Sequence, residues 1–150
     1  MFGGAFKHTL DKKGRIILPA QYRSKLSEKY VDKFILTRGF EDCLLVFPSD
    51  EWKNFENKLR NLPLSDANTR YAIRVLYSNA FETTLDKQGR MFIPSDLRGI
   101  VGIEKEVVIT GYFNMIEIWS KDKWDNYMKE DADKPFVNVV QKLFDMGIMK

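Results

Sequence analysis

Two arginines, Arg15 and Arg90, each follow a glycine and stand four residues after an aspartate. Leu10-Asp11-Lys12-Lys13-Gly14-Arg15 returns as Leu85-Asp86-Lys87-Gln88-Gly89-Arg90. In a tight turn of this kind the aspartate accepts hydrogen bonds from backbone amides two residues on, and the glycine takes the positive φ of the exit. Asp11, Gly14, Asp86 and Gly89 are thereby assigned to turn chemistry, with the lysines standing in solvent. The arginines are left over. A guanidinium at that position either reaches back to the aspartate, which fixes its planar fork, or projects outward beside the lysines. Both placements leave a cationic turn that can neutralise phosphate, or pair with guanine O6 and N7 in a major groove that accepts a two-stranded ribbon.

Lys7, His8, Lys12, Lys13 and Arg15 cluster near the first turn, and Lys87 and Arg90 mark the second. These seven residues are the candidate nucleic-acid contacts. His8 is the sole histidine and has no carboxylate or cysteine at ligand spacing, so it reads as a polar strand residue able to touch phosphate. The sequence contains no phosphate-cradling glycine loop, nucleophile elbow or paired-histidine zinc motif, and Glu41-Asp42 and Asp50-Glu51 suit loop and helix-start charges. No enzyme activity, small-molecule substrate, cofactor or metal is expected. The single cysteine, Cys43, excludes an intrachain disulfide and fits a reducing, cytoplasmic setting. No apolar run reaches membrane-spanning length and the N-terminus lacks a signal-peptide pattern, so no membrane partner is expected.

The two turns belong to a longer duplication. Phe6, Thr9, Pro19 and Arg23 recur as Phe81, Thr84, Pro94 and Arg98 in one constant register, which points to an internal repeat. The repeats differ in charge. Residues 7–38 hold nine basic and three acidic residues, whereas 82–110 hold four and five; Lys7 becomes Glu82 and Lys13 becomes Gln88. The first turn is therefore expected to dominate contact with a polyanion, and the second to have drifted toward assembly. With 150 residues and 44% apolar content the chain needs no staples, but a repeat of half that length has little private core. Each repeat is expected to complete itself against its twin or another subunit, and the protein to oligomerise.

Each copy spells strand, turn, strand, short helix, strand, strand, helix. In the first, Ala5 to Leu10 and Arg15 to Leu18 flank the turn as a hairpin, and Tyr22 to Leu26 is helical. Phe34 to Leu36 and Leu44 to Phe47 form a second pair around a longer loop. Ser49 to Leu62 places Trp52, Phe55, Leu59 and Leu62 on one helical face, with Ser49 or Asp50 as cap, and a linking helix puts Tyr71, Ala72, Val75 and Leu76 on another. The second copy repeats the plan over Asn79 to Leu85, Arg90 to Ile93, Ser95 to Ile100, Glu106 to Thr110 and Met115 to Trp119. Its closing helix opens at Ser120 and carries Trp124 where the first has Trp52. A polar break at Asp131 to Lys134 precedes a helical stretch from Phe136 to Phe144. The expected organisation is residues 1–76, 77–131 and a tail or docking helix at 132–150, in a mainly β, α+β fold.

Met1-Phe2-Gly3-Gly4, the two Asp-x-x-Gly-Arg turns and Pro19-Ala20-Gln21-Tyr22-Arg23 resemble the MraZ family of bacterial regulators over almost the whole chain. Many relatives carry Arg where this chain has Gly3. The resemblance implies two tandem AbrB-like swapped-hairpin half-barrels forming a pseudo-symmetric β-barrel. It also implies a ring-shaped homo-oligomer and a cytoplasmic, nucleoid-associated transcription factor. Such a factor binds double-stranded DNA at tandem direct repeats in the promoter of the division and cell-wall gene cluster, its own gene included. The alternatives are an antitoxin or protein-binding scaffold of the same fold, which would co-purify with a small partner, and a nonspecific nucleoid or RNA-binding protein, which would not discriminate sequences.

Overall fold

The run Cys43 to Pro48 is apolar at every position, and all six residues are buried. Such a strand must be covered on both faces, which puts it at the centre of a sheet. The computed structural model describes residues 2–28, 32–129 and 135–147. Its elements are β1 (Ala5–Thr9), β2 (Arg15–Ile17), α1 (Ala20–Glu28), β3 (Lys33–Arg38), β4 (Cys43–Pro48), α2 (Ser49–Arg60), α3 (Ala67–Ser78) and β5 (Phe81–Thr84). There follow β6 (Arg90–Phe92), α4 (Ser95–Val101), β7 (Glu106–Tyr112), β8 (Met115–Ser120), α5 (Lys121–Met128) and α6 (Phe136–Asp145). Six strands form one antiparallel sheet in the order β1-β7-β8-β4-β3-β5, and β2 pairs with β6 as a separate two-stranded ribbon.

This order interleaves the repeats. β1 of the first copy pairs with β7 of the second, and β5 of the second pairs with β3 of the first. Exchanging the copies reverses the strand order onto itself, so an internal two-fold passes between β4 and β8. Ile16 of β2 and Met91 of β6 face Phe34, Leu36, Leu44, Val46, Val107, Ile109, Ile116 and Ile118 in one core drawn from both copies. Each half thus completes itself against its twin, as its size requires. The other face of the sheet is covered by helices: Trp124 of α5 packs on Trp119 and Val108, and Trp52 and Phe55 of α2 pack on Leu45 and Phe47.

The α+β plan and element order follow the expectation, with four local corrections. The flanking strands Ala5 to Leu10 and Arg15 to Leu18 do not form a hairpin ribbon beyond their turn, because β1 and β2 enter different sheets. α2 has Pro48 at the N-cap position, which offers no side-chain cap, while Asp50 Oδ1 accepts the Glu51 N–H at 2.9 Å within the first turn; the helix stops at Arg60, leaving Leu62 exposed. In α3 the half-buried positions are Thr69, Arg70, Ile73, Val75 and Leu76, while Tyr71 and Ala72 are exposed. That helix has polar neighbours at nearly every phase, so periodicity alone sets its face poorly. α6 forms as expected and buries none of its residues; Asp131 to Lys134 lie outside the described residues. Among the described residues no helix is long and apolar enough to cross a membrane.

Candidate nucleic-acid interface

Asp11 closes the first turn with both carboxylate oxygens. Its Oδ1 accepts the backbone N–H groups of Lys13 and Arg15, each at 2.9 Å, and Oδ2 accepts Arg15 Nε at 2.8 Å. The second turn repeats this atom for atom. Asp86 Oδ1 accepts from Gln88 and Arg90 N–H at 2.9 Å, and Oδ2 accepts Arg90 Nε at 2.7 Å. Backbone bonds Asp11 N to Arg15 O and Gly14 N to Asp11 O tighten the loop, with Gly14 at φ 81° and Gly89 at φ 78°. The arginines therefore reach back; of the two placements open to them, the structure selects the clamp. Each keeps its terminal guanidinium nitrogens as donors, and their side chains are 25% and 29% exposed.

The antiparallel pairing of Arg15 with Phe92 and Ile17 with Arg90 puts the two turns at opposite ends of the ribbon. Three residues span about 10 Å. Ile16 and Met91 point into the core, so Arg15, Ile17, Arg90 and Phe92 share the outer face. Arg15 Nη1 also approaches Asp86 Oδ2 at 3.9 Å, which ties one turn to the other. Lys12, Lys13 and Lys87 are exposed on the turns, and Lys7 is exposed on β1. His8 alternates away from Lys7, onto the face of Phe6 and Leu10, where it is half-buried and burial lowers its imidazole pKa.

Sequence reasoning assigned no role to Arg23 and Arg98. Each donates Nε to its own repeat, Arg23 to Leu18 O at 2.9 Å and Arg98 to Ile93 O at 3.0 Å. Each then lies across the other repeat's turn. A Cβ on Gly89 would stand 2.6 Å from Arg23 Cδ, and one on Gly14 would stand 3.2 Å from an Arg98 terminal nitrogen. Leu18 N–H to Gly89 O and Ile93 N–H to Gly14 O complete the interlock. The signal was present, since Arg23 and Arg98 recur in the same register as the turns, but only the interleaved topology gives it meaning. It also adds a cation from the second copy to the first turn, and from the first copy to the second.

Backbone N–H donation from Arg15 and Arg90, followed by the guanidinium bonds, holds Asp11 and Asp86 below the ordinary carboxylate pKa. A depressed carboxyl pKa contributes stability that is complete above the unfolded value and disappears as pH falls through the folded one. The amide resonances of Lys13, Arg15, Gln88 and Arg90 are accordingly expected to hold constant from pH 8 to pH 5 and to move only below about pH 4. A pH titration by NMR reads this directly; movement of these amides near pH 6 would contradict it.

The MraZ family model, "MraZ protein, putative antitoxin-like", matches residues 1–75 and again 76–147, one match per turn. The chain belongs to the MraZ family. Its fold is accordingly two tandem AbrB-like units. Relatives named "Transcriptional regulator MraZ" include those of Natranaerobius thermophilus and Halothermothrix orenii, each 45% identical over 99% of this chain and 100% of the relative. That of Clostridium beijerinckii is 43% identical over the same shares.

Proposed function

We propose that this family member is a DNA-binding transcriptional regulator that lays the outer face of the β2–β6 ribbon against the major groove of a duplex. The observation that carries it is the pair of carboxylate-clamped arginines on one ribbon face with exposed lysines at both ends. An arginine whose Nε is held by an aspartate presents its terminal nitrogens in a fixed orientation, the condition for bidentate recognition of guanine. Lys12, Lys13, Lys87 and Lys7 are assigned to phosphates, Arg15 and Arg90 to base edges. His8, half-buried on β1, is a weaker candidate for phosphate. The names of the relatives support the regulatory reading. No catalytic role is assigned.

The finer reading is a cytoplasmic, nucleoid-associated homo-oligomer, arranged as a ring, that binds tandem direct repeats upstream of its own gene and of the division and cell-wall cluster. One ribbon of about 10 Å covers only a few base pairs, so affinity must come from several subunits engaging several repeats, through effective concentration. A promoter fragment with several repeats is expected to bind at least about tenfold tighter than a fragment with one. Equal affinities, measured by fluorescence anisotropy at one salt concentration, would overturn the multivalent mechanism.

A further inference from the structure

The internal duplication supplies its own control for an unusual residue. Aligning the helix starts at Ser49 and Lys121 matches Leu45 with Glu117, Phe47 with Trp119, Trp52 with Trp124, and Phe55 with Tyr127. Leu45 and Glu117 are also direct cross-strand neighbours. In the first copy Leu45 is buried among Phe47, Trp52 and Phe55, whose rings pack at 5.0 to 5.8 Å, and the space is filled. In the second copy the same position is a carboxylate, only 6% exposed. Burying it costs free energy that the twin's leucine avoids.

Around Glu117 the second copy is not filled. A cavity of about 480 Å³ opens beside it, walled by Tyr112, Trp119, Trp124, Tyr127 and Phe40. Its lining includes two carboxylates, Glu117 and Glu41, and no lysine or arginine. Trp119 Nε1 donates to Glu117 Oε1 at 3.0 Å, and the Tyr112 hydroxyl to Oε2 at 3.4 Å, so the carboxyl group is oriented. These donors are neutral, and none supplies a counter-charge. Trp119 meets Trp124 edge-on at 5.4 Å and Tyr127 at 5.1 Å, while Tyr112 and Tyr127 keep exposed surface at the rim. Aromatic side chains gathered around a carboxyl group suit cations of low hydration.

We propose that this open cavity is a binding site for an organic cation, an alkylammonium or guanidinium group, anchored by Glu117 and flanked by the aromatic walls. The group belongs either to a free metabolite or to a lysine or arginine side chain of another copy of this chain. The test titrates the full-length protein with tetramethylammonium chloride and with arginine hydrochloride, against sodium chloride at equal ionic strength. It follows tryptophan fluorescence and, in parallel, particle mass by light scattering. For a free ligand, a saturable change is expected that Glu117→Gln weakens by roughly 10-fold or more, with mass unchanged. For a side chain of another copy, the site is already filled, so free cations give no saturation and Glu117→Gln lowers the mass. Tyr127→Ala removes an exposed wall and is expected to act in the same direction, which keeps the test valid should the glutamine variant fail to fold. Saturation indifferent to both variants, or neither saturation nor a mass change, overturns the proposal.

Discussion

Replacing Lys12 and Lys13 together with alanine is expected to weaken binding to every duplex by a similar factor, roughly 100-fold at 0.1 M salt, and to lower the salt slope by about two. Both side chains are exposed on the first turn. The turn itself is made by the Lys13 backbone N–H, by Asp11 and by Gly14, all of which survive the change. The double variant therefore isolates charge from architecture. Measuring affinity on promoter and scrambled fragments across a salt series checks it. An unchanged slope would mean that the first turn does not touch the phosphate backbone.

Arg15→Ala is expected to act differently, by removing discrimination worth about 1 to 3 kcal/mol between promoter and scrambled DNA. Arg90→Ala is expected to cost less. Charge counts motivate that order, and the structure supplies a stronger reason: Arg15 bonds Asp11 and also reaches Asp86 of the other turn, whereas Arg90 engages Asp86 alone. Loss of Arg15 leaves Asp11 without its guanidinium partner on the face proposed to meet DNA, where it then repels phosphate, while Asp86 keeps Arg90. Titrating both variants on both fragments, with circular dichroism as a check on folding, separates the cases. Equal losses from the two variants would mean that the turns share recognition evenly. Equal losses on both fragments for Arg15→Ala would mean that it reads no bases.

The turns were legible because their chemistry is local: an aspartate, a glycine and an arginine within five residues leave few ways to satisfy the backbone. The central strands were legible for a similar reason, since Leu44 to Phe47 is apolar without alternation and reads as a strand covered on both sides. What periodicity did not convey was pairing. Ala5 to Leu10 and Arg15 to Leu18 look like a hairpin by every short-range rule, yet Leu10 donates its N–H to Lys105 and Ile16 lies opposite Met91. Those partners are distant in sequence and set by burial of a shared core. Arg23 and Arg98 were opaque for the same reason: an arginine on a short helix has no evident task until the twin's glycine is seen beneath it. Glu117 was hidden by its neighbours, because one acid in an apolar strand reads as an exposed edge until its 6% exposure is known.

The exchange of β1 and β5 between repeats has a consequence for biogenesis. The hydroxyl of Thr110 holds the carbonyl of Gly4 across a sequence separation of 106 residues. At ordinary synthesis rates the first strand is translated roughly 5 to 20 s before its mate. During that interval the nascent first half carries a bare edge and half a core. Two such halves on neighbouring ribosomes of one messenger present complementary edges to each other, so prompt completion of a single chain is what keeps adjacent nascent molecules from knitting together.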